Sequence, residues 1–187
     1  EEPFFGVTVE IDCTKAYQTA KSKNASFFIF YLHKTLVAIN AIENFKYRIS
    51  ENQIFINDRV DASATIGRED GTFGFSLIEY DPDFKTFEQI ALTEIERIQN
   101  TTGLFTRSFD DDNLIHFSAI PWLNFSSITH ARSFTYPDSC PKISFGKMMD
   151  SETGKKTMSM AIYVHHGLMD GMHVGQFVDF FQELMNQ

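Results

Sequence analysis

Alternation of hydrophobic and polar side chains marks the strands that the sequence predicts. An extended strand places successive side chains on opposite faces, so a half-buried strand alternates in polarity. The clearest case is residues 157–165, in which Met158, Met160, Ile162 and Val164 would share one face. By this criterion strands are predicted over residues 4–11, 45–49, 53–56, 58–66, 72–80, 114–118, 143–147 and 157–165.

Hydrophobic residues that recur every three to four positions predict four helices. The four helices are expected to begin near Thr14, after Ser26 as the N-cap, at Asp81-Pro82 and after Gly171. The second helix is expected to end near residue 41, and the third near residue 100. The sequence contains no internal repeat and no linker-like tract, so one domain over residues 1–187 is predicted. The element order favours an α+β fold, with a mixed, mostly antiparallel sheet covered by helices in two layers.

Composition narrows the classes of function. The chain has 187 residues, 43% of them hydrophobic, and a net charge of −9, which disfavours a nucleic acid partner because phosphate binding depends on clustered cations. The apolar runs are too short to span a membrane, and the start of the chain has no leader-like pattern. Cys13 and Cys140 are too few for a disulfide framework. A cytoplasmic location is therefore expected.

The segment between the last strand and the last helix carries the residues best suited to chemistry. It reads HHGLMDG over residues 165–171. Neighbouring strand residues point to opposite faces, so one histidine is the better candidate, and His166 is favoured because Asp170 lies four residues on, across a glycine-bounded turn. A neutral imidazole suits proton removal near neutral pH, so His166 is the predicted general base.

Two other interpretations of this segment remain open. The histidines and the aspartate could form a purely structural turn, because satisfied polar groups are common in protein interiors. A zinc site is the weaker alternative, because no third ligand lies at a recognisable spacing, and no metal is predicted. The remaining histidines have no comparable partner and are expected to pack or to lie at the surface: His33, His116, His130 and His173.

Three motifs in order resemble signatures of the chloramphenicol acetyltransferase family of CoA-dependent acyltransferases. HHxxxDG at residues 165–171 is the first, and it is shared with dihydrolipoamide acyltransferases and condensation domains. IHFSAIPWLNF at residues 115–125 and PKISFGK at residues 141–147 look like the other two. IDCT at residues 11–14 is similar to the early strand-to-helix junction of the family. The resemblance covers essentially the whole chain and is strongest over residues 114–187.

The resemblance implies transfer of an acetyl group from acetyl-CoA to a hydroxyl, without an acyl-enzyme. By position, His166 would deprotonate the acceptor, Ser118 would donate a hydrogen bond to the oxyanion, and Ser144 would replace a threonine that holds a water nearby. Asp170 would be structural, paired in the family with an arginine from an N-terminal segment that has no counterpart before Glu1. Such a general base raises the reaction rate by a factor of about 10²–10⁴. Such an oxyanion donor raises it by a factor of about 10²–10³.

The cofactor path and the assembly are also implied by the resemblance. Trp122 and Lys147 match positions where an indole packs on CoA and a lysine meets its phosphates. The family forms trimers whose active sites lie between subunits, the histidine from one and much of the acceptor pocket from its neighbour. A homotrimer is therefore implied here, and the 20 phenylalanines are compatible with such an interface.

The implied acceptor pocket departs from the pocket of the members that act on chloramphenicol. Three aromatic walls would be kept: Phe73, Phe105 and Phe117. His130, Asp138 and Lys142 instead stand where those members carry aliphatic or aromatic residues, with His130 expected to contact the acceptor. Burying each polar group against an apolar drug costs about 1–3 kcal/mol unless it finds a partner. Either the alignment shifts locally or the acceptor is more polar than chloramphenicol.

Three functions are therefore carried forward. The first is an O-acetyltransferase acting on chloramphenicol or on a related small molecule that bears a hydroxyl. The second is another HxxxDG acyltransferase, such as a dihydrolipoamide type, although the Ala/Pro-rich linkers that accompany those enzymes do not occur in this sequence. The third is a non-catalytic binder of small molecules with the same fold.

Overall fold

The elements follow the chain in an order that mixes strands and helices. In this computed structural model, residues 3–108, 113–131 and 138–187 are described. The strands are β1 Phe4–Asp12, β2 Tyr47–Ser50, β3 Gln53–Ile56, β4 Asp61–Gly67, β5 Phe73–Phe75, β6 Leu114–Ala119, β7 Lys142–Phe145, β8 Met149–Asp150 and β9 Lys156–His165. The helices are α1 Thr14–Ser22, α2 Phe27–Ala41, α3 Phe84–Gln99 and α4 Gly171–Met185, and Glu43–Lys46 is a short 3-10 helix.

A seven-stranded sheet joins strands from both ends of the chain. Its order is β1-β9-β7-β6-β4-β5, with β8 pairing with β9, while β2 and β3 form a separate hairpin. The neighbours β7–β6 and β6–β4 are parallel, and the other pairs in the sheet are antiparallel. The predicted α+β class with a mixed, mostly antiparallel sheet is confirmed.

The hydrophobic core lies between one face of this sheet and the helices. The alternating side chains of β9 that were predicted to share a face, Met158, Met160, Ile162 and Val164, all lie in this core. They pack in the same cluster as the buried stripe of α4, formed by Val174, Phe177, Phe181 and Leu184. The alternating side chains of the strands therefore form one side of the core, and the hydrophobic stripes of the helices form the other.

The opposite face of the sheet carries small and polar residues in matched positions. Pairing in register aligns four of them on neighbouring strands: Thr8, Ala161, Ser144 and Ser118. One residue earlier on β6 and β7, Phe117 and Ile143 pair with each other and point into the core. The polar face is thus the surface on which the predicted site residues of β6 and β7 lie.

Some predicted boundaries were wrong, for local reasons. Residues 45 and 46 belong to the 3-10 helix, and the strands predicted over 58–66 and 72–80 shrink to β4 and β5. Helix α3 begins two residues later than expected, because the side chain of Asp83 caps it by accepting a hydrogen bond from the Thr86 N–H at 2.9 Å. Ser26 does occupy the N-cap of α2, but its side chain makes no capping bond.

One strand was not predicted from the sequence. β8 contains only two residues, so it has no period to detect, and it pairs with β9 at Met149 and Asp150. None of the helices in the described ranges is long and apolar enough to span a bilayer.

Candidate active site

His166 lies at the surface, immediately after the last residue of β9. Its backbone N–H donates to the Pro3 carbonyl at 2.8 Å, and its ring centroid lies 4.9 Å from that of Phe5. The chain then turns sharply, with the Leu168 N–H donating to the His165 carbonyl at 3.0 Å. The main chain of His166 is therefore held by neighbouring backbone, while its imidazole stays exposed.

Asp170 is the N-cap of α4 and does not pair with His166. Its carboxylate accepts hydrogen bonds from the N–H groups of Met172 at 2.9 Å and His173 at 3.4 Å, and the Asp170 N–H donates to the His173 ring Nδ1 at 3.2 Å. Desolvation raises the pKa of Asp170, but these hydrogen bonds outweigh it and the pKa lies below its ordinary value. Asp170 fixes the start of α4, and through it the turn that follows His166.

His173 is a structural residue of the site that the sequence analysis missed. It was expected only to pack or lie at the surface, yet it completes a reciprocal capping box with Asp170. The signal was present in the sequence, because a capping Asp followed three residues later by a side chain that can accept a hydrogen bond is the spacing of such a box.

The two predicted serines are neighbours on parallel strands. Ser118 of β6 pairs in register with Ser144 of β7, so both side chains lie on the polar face of the sheet. Ser144 is fully buried, and its Oγ lies 3.5 Å from the Nε2 of His130. Burial, followed by the charges of Lys142 and His116, lowers the pKa of His130, which therefore stays neutral near pH 7.

The polar residues that depart from the apolar pocket have found partners. Lys142 forms an ion pair with Asp138 and donates to the Cys140 carbonyl at 3.2 Å, and its Nζ lies 4.9 Å from the Phe4 ring centroid. Burial raises the pKa of Asp138, but the hydrogen bond and charge of Lys142 bring it below its ordinary value. The attraction between the two charges offsets part of the cost of burying them.

A largely apolar cavity of about 660 Å³ opens beside Ser118. It lies at the carboxyl ends of the parallel strands β4 and β6, and Phe73 and Trp122 also line it. Trp122 is 78% exposed, so its indole forms part of an open rim rather than of the core. Lys147 is exposed and lies near this rim, because its N–H donates to the Leu123 carbonyl at 2.8 Å.

Two of the three predicted aromatic walls lie elsewhere than in this cavity. Phe105 is 69% exposed and contacts Phe75 in a tilted arrangement with ring centroids 5.4 Å apart, outside the cavity lining. Phe117 is 2% exposed and belongs to the core cluster, on the sheet face opposite Ser118. The expectation that Phe117 contacts an acceptor is therefore corrected, since neighbouring residues of one strand cannot line the same face.

A single chain does not bring His166 and Ser118 together. The register places Ser118 beside Ser144 and Ala161, whereas His166 lies five residues further along β9. With about 3.3 Å per residue and about 4.8 Å between strands, the two positions are roughly 19 Å apart. A general base must lie within hydrogen-bond reach of the proton it removes, so these two residues of one chain cannot act at one reacting group.

Across residues 3–108, 113–131 and 138–187, no group of three or more His, Cys, Asp or Glu side chains could hold a metal ion.

Several proteins named chloramphenicol acetyltransferase are similar to this chain in sequence or fold. Chloramphenicol acetyltransferase 3 from Escherichia coli is 28% identical over 184 residues, which cover 97% of this chain and 85% of that protein. Chloramphenicol acetyltransferase from Bacillus pumilus is 25% identical over 182 residues, 97% of this chain and 82% of its own. A solved chloramphenicol acetyltransferase structure has a TM-score of 0.88 and 31% identity, covering 98% of this chain and 89% of its own.

More distant structures share only the fold. A probable dihydrolipoamide acetyltransferase from Listeria monocytogenes has a TM-score of 0.74 at 12% identity, over 98% of this chain and 84% of its own. The sequence model of the chloramphenicol acetyltransferase family, by contrast, matches residues 2–182. With that match over nearly the whole chain, the protein belongs to the chloramphenicol acetyltransferase family of acyltransferases.

Proposed function

We propose that the protein transfers the acetyl group of acetyl-CoA to a hydroxyl group of chloramphenicol or of a related small molecule. The observation that carries this proposal is the exposed imidazole of His166, fixed between β9 and the capped start of α4 in a member of this family. The serine pair Ser118 and Ser144 on the polar sheet face supports it. The dihydrolipoamide acetyltransferases share the fold at 12% identity, which gives that alternative no comparable support.

The proposed reaction has one base and one oxyanion donor. His166 removes the proton of the acceptor hydroxyl while the hydroxyl oxygen bonds to the thioester carbonyl carbon, and the carbonyl electron pair moves onto oxygen. Ser118 donates a hydrogen bond to that oxyanion, with Ser144 beside it. The oxyanion then collapses, the carbon–sulfur bond breaks, and the leaving thiolate takes the proton from the imidazolium. The products are the acetyl ester and CoA.

The separation of the two residues within one chain supports a shared active site. We place Ser118 of one subunit opposite His166 of the partner subunit, in a homotrimer with three identical interfaces. Such a head-to-tail contact closes into a ring when the rotation is threefold. The exposure of His166 fits this arrangement, because a base that acts on a neighbouring subunit must reach outside its own fold.

Acetyl-CoA is assigned to the rim of the cavity beside Ser118, whose lining also contains Phe73, the residue proposed to contact the acceptor. Trp122 on the rim and Lys147 close to it would hold the cosubstrate, by packing and by contact with its phosphates. We infer a single acyltransferase domain, because one sheet contains strands from both ends of the chain. The free thiols Cys13 and Cys140 are compatible with the cytoplasm, where this reaction is proposed to take place.

The proposed activity is tested by following CoA release from acetyl-CoA with a thiol-reactive dye and chloramphenicol as acceptor. The enzyme-only blank is expected to be low at Cys13, because this thiol is fully buried and burial raises its pKa to about 12. CoA release that requires both substrates is the expected result. Failure with chloramphenicol and with a panel of smaller and more polar alcohols would contradict the proposal and favour a non-catalytic binder.

A further inference from the structure

The side chain of Arg68 ties the turn between β4 and β5 to the end of α3. Its Nε donates to the Ile98 carbonyl of α3 at 2.9 Å, and its two terminal nitrogens donate to the Gly103 carbonyl at 2.8 Å and the Thr72 hydroxyl at 3.2 Å. The guanidinium can make these bonds together because its donors form a rigid planar fork. We call this set of three hydrogen bonds the Arg68 clamp.

Gly74 leaves the space that the Arg68 clamp occupies. It is a buried residue of β5 and pairs with Ile66 of β4. A Cβ at this position would lie 2.6 Å from a terminal nitrogen of Arg68 and 3.1 Å from the Ile98 side chain. Because 2.6 Å is too short for a contact between carbon and nitrogen, a larger residue here would push the guanidinium away from its acceptors.

The Arg68 clamp joins two parts of the wall of the cavity beside Ser118. The turn contributes residues 67, 68, 71 and 72 to the lining, and α3 contributes Ile95 and Gln99. Ile98, which accepts the Nε–H of Arg68, lies within the same turn of α3 as these two residues. Since the two parts of the wall belong to different elements, the bond between them fixes their spacing.

We propose that Arg68 is a positioning residue for acetyl-CoA, which holds the cavity wall in the arrangement that binds the cosubstrate and does not contact the reacting atoms. This inference rests on the proposed assignment of acetyl-CoA to the rim of this cavity. A wall that is fixed before binding gives tighter binding, because no affinity is lost in ordering it. Loss of the Arg68 clamp therefore weakens the binding of CoA and leaves the chemical step intact.

Binding of CoA to Arg68 variants tests the inference without an acceptor. Arg68→Met removes the donors at similar length, whereas Arg68→Lys keeps the charge, but its single ammonium cannot reach all three acceptors. Titration calorimetry with CoA is expected to give a Kd about 10-fold higher for both variants, comparable to the loss of one charge-assisted hydrogen bond. The KM for acetyl-CoA should rise by a similar factor, while kcat changes less than about threefold.

Gly74→Ala tests the Arg68 clamp with the arginine unchanged. Its Cβ should displace the guanidinium and raise the Kd for CoA about as much as Arg68→Met does. In the double variant it should add little to the effect of Arg68→Met, because both substitutions break the same contacts.

Lys85→Met is the matched control for the lost charge. It removes one positive charge from an exposed position of α3, thirteen residues or about 20 Å before Ile98, and should leave the Kd for CoA unchanged. All variants are checked by thermal unfolding. Weaker CoA binding by the three clamp variants would support the inference even if no acceptor is acetylated.

Two results would overturn the inference while the proposed acetyl transfer stands. One is a Kd for CoA that none of the clamp variants changes. The other is an Arg68→Lys protein that binds CoA as tightly as the wild type, since Arg68 would then act by its charge alone. A wild-type protein that binds no CoA would contradict the assignment of the cosubstrate to this cavity, and the role of the Arg68 clamp with it.

Discussion

Replacing His166 with alanine is expected to lower kcat for acetyl transfer by a factor of about 10²–10⁴, the usual contribution of a positioned general base. The loss should appear in kcat rather than in the KM for acetyl-CoA, because a general base stabilises the transition state and not the bound cosubstrate. The fold should survive, since the imidazole is exposed and the backbone hydrogen bond to Pro3 does not involve the side chain.

The control for this variant comes from the same turn. His173→Ala removes another imidazole seven residues further on, which contacts the capping Asp170 but not the proposed reacting group. It should weaken the start of α4 and lower the unfolding temperature slightly, while most of the turnover is kept. A His166→Ala enzyme with more than a few per cent of wild-type kcat would refute the assignment of the base.

Ser118→Ala is expected to lower kcat by a factor of about 10²–10³, as does the loss of one oxyanion donor in other enzymes. The hydroxyl of Ser118 makes no hydrogen bond within the described residues, so its removal leaves no protein group unpaired. Stability should therefore change little. Steady-state kinetics with both substrates varied would separate the loss in kcat from any change in KM.

A serine on the outside of the fold provides the comparison. The Ser22 hydroxyl donates to a carbonyl at the exposed end of α1, far from the sheet, so Ser22→Ala should keep full turnover. A Ser118→Ala enzyme that loses less than about fivefold in kcat would show that the oxyanion is held by other groups.

The long periodic elements could be predicted because each carries several turns or alternations of a single pattern. β1, α2, β9 and α4 lie close to their predicted positions for this reason. The bounds of β5 and β8 could not be predicted, because strands of three and two residues are too short to show a period. Their pairing is decided by tertiary contacts. The correction at Phe117 was available from alternation alone, since the residue next to Ser118 must point to the other face.

The local part of the site could also be read from the sequence. His166 and Asp170 are fixed by one turn, so their motif carries their placement. The pairing of Ser118 with Ser144 depends on parallel strands that are far apart in the chain, and single-sequence patterns do not encode such register. The same holds for the contact of Ser144 with His130, which no spacing rule connects.

Tertiary structure explains why polar residues stand at positions where an apolar acceptor pocket was expected. Asp138 and Lys142 form a compensated ion pair, so their presence does not require a charged acceptor. His130, the third of these residues, contacts the Ser144 hydroxyl, and burial lowers the pKa of its imidazole. The partners of these three residues could not be identified from residue types alone.

The central claim is that each active site combines His166 of one subunit with Ser118 of the next, and subunit mixing tests it directly. His166→Ala and Ser118→Ala proteins, each inactive alone, are unfolded together in equal amounts and refolded, with mass spectrometry confirming mixed trimers. In random trimers about one quarter of the interfaces would pair an intact His166 with an intact Ser118, so about one quarter of wild-type activity should return. Mixed trimers that stay inactive would contradict the shared site.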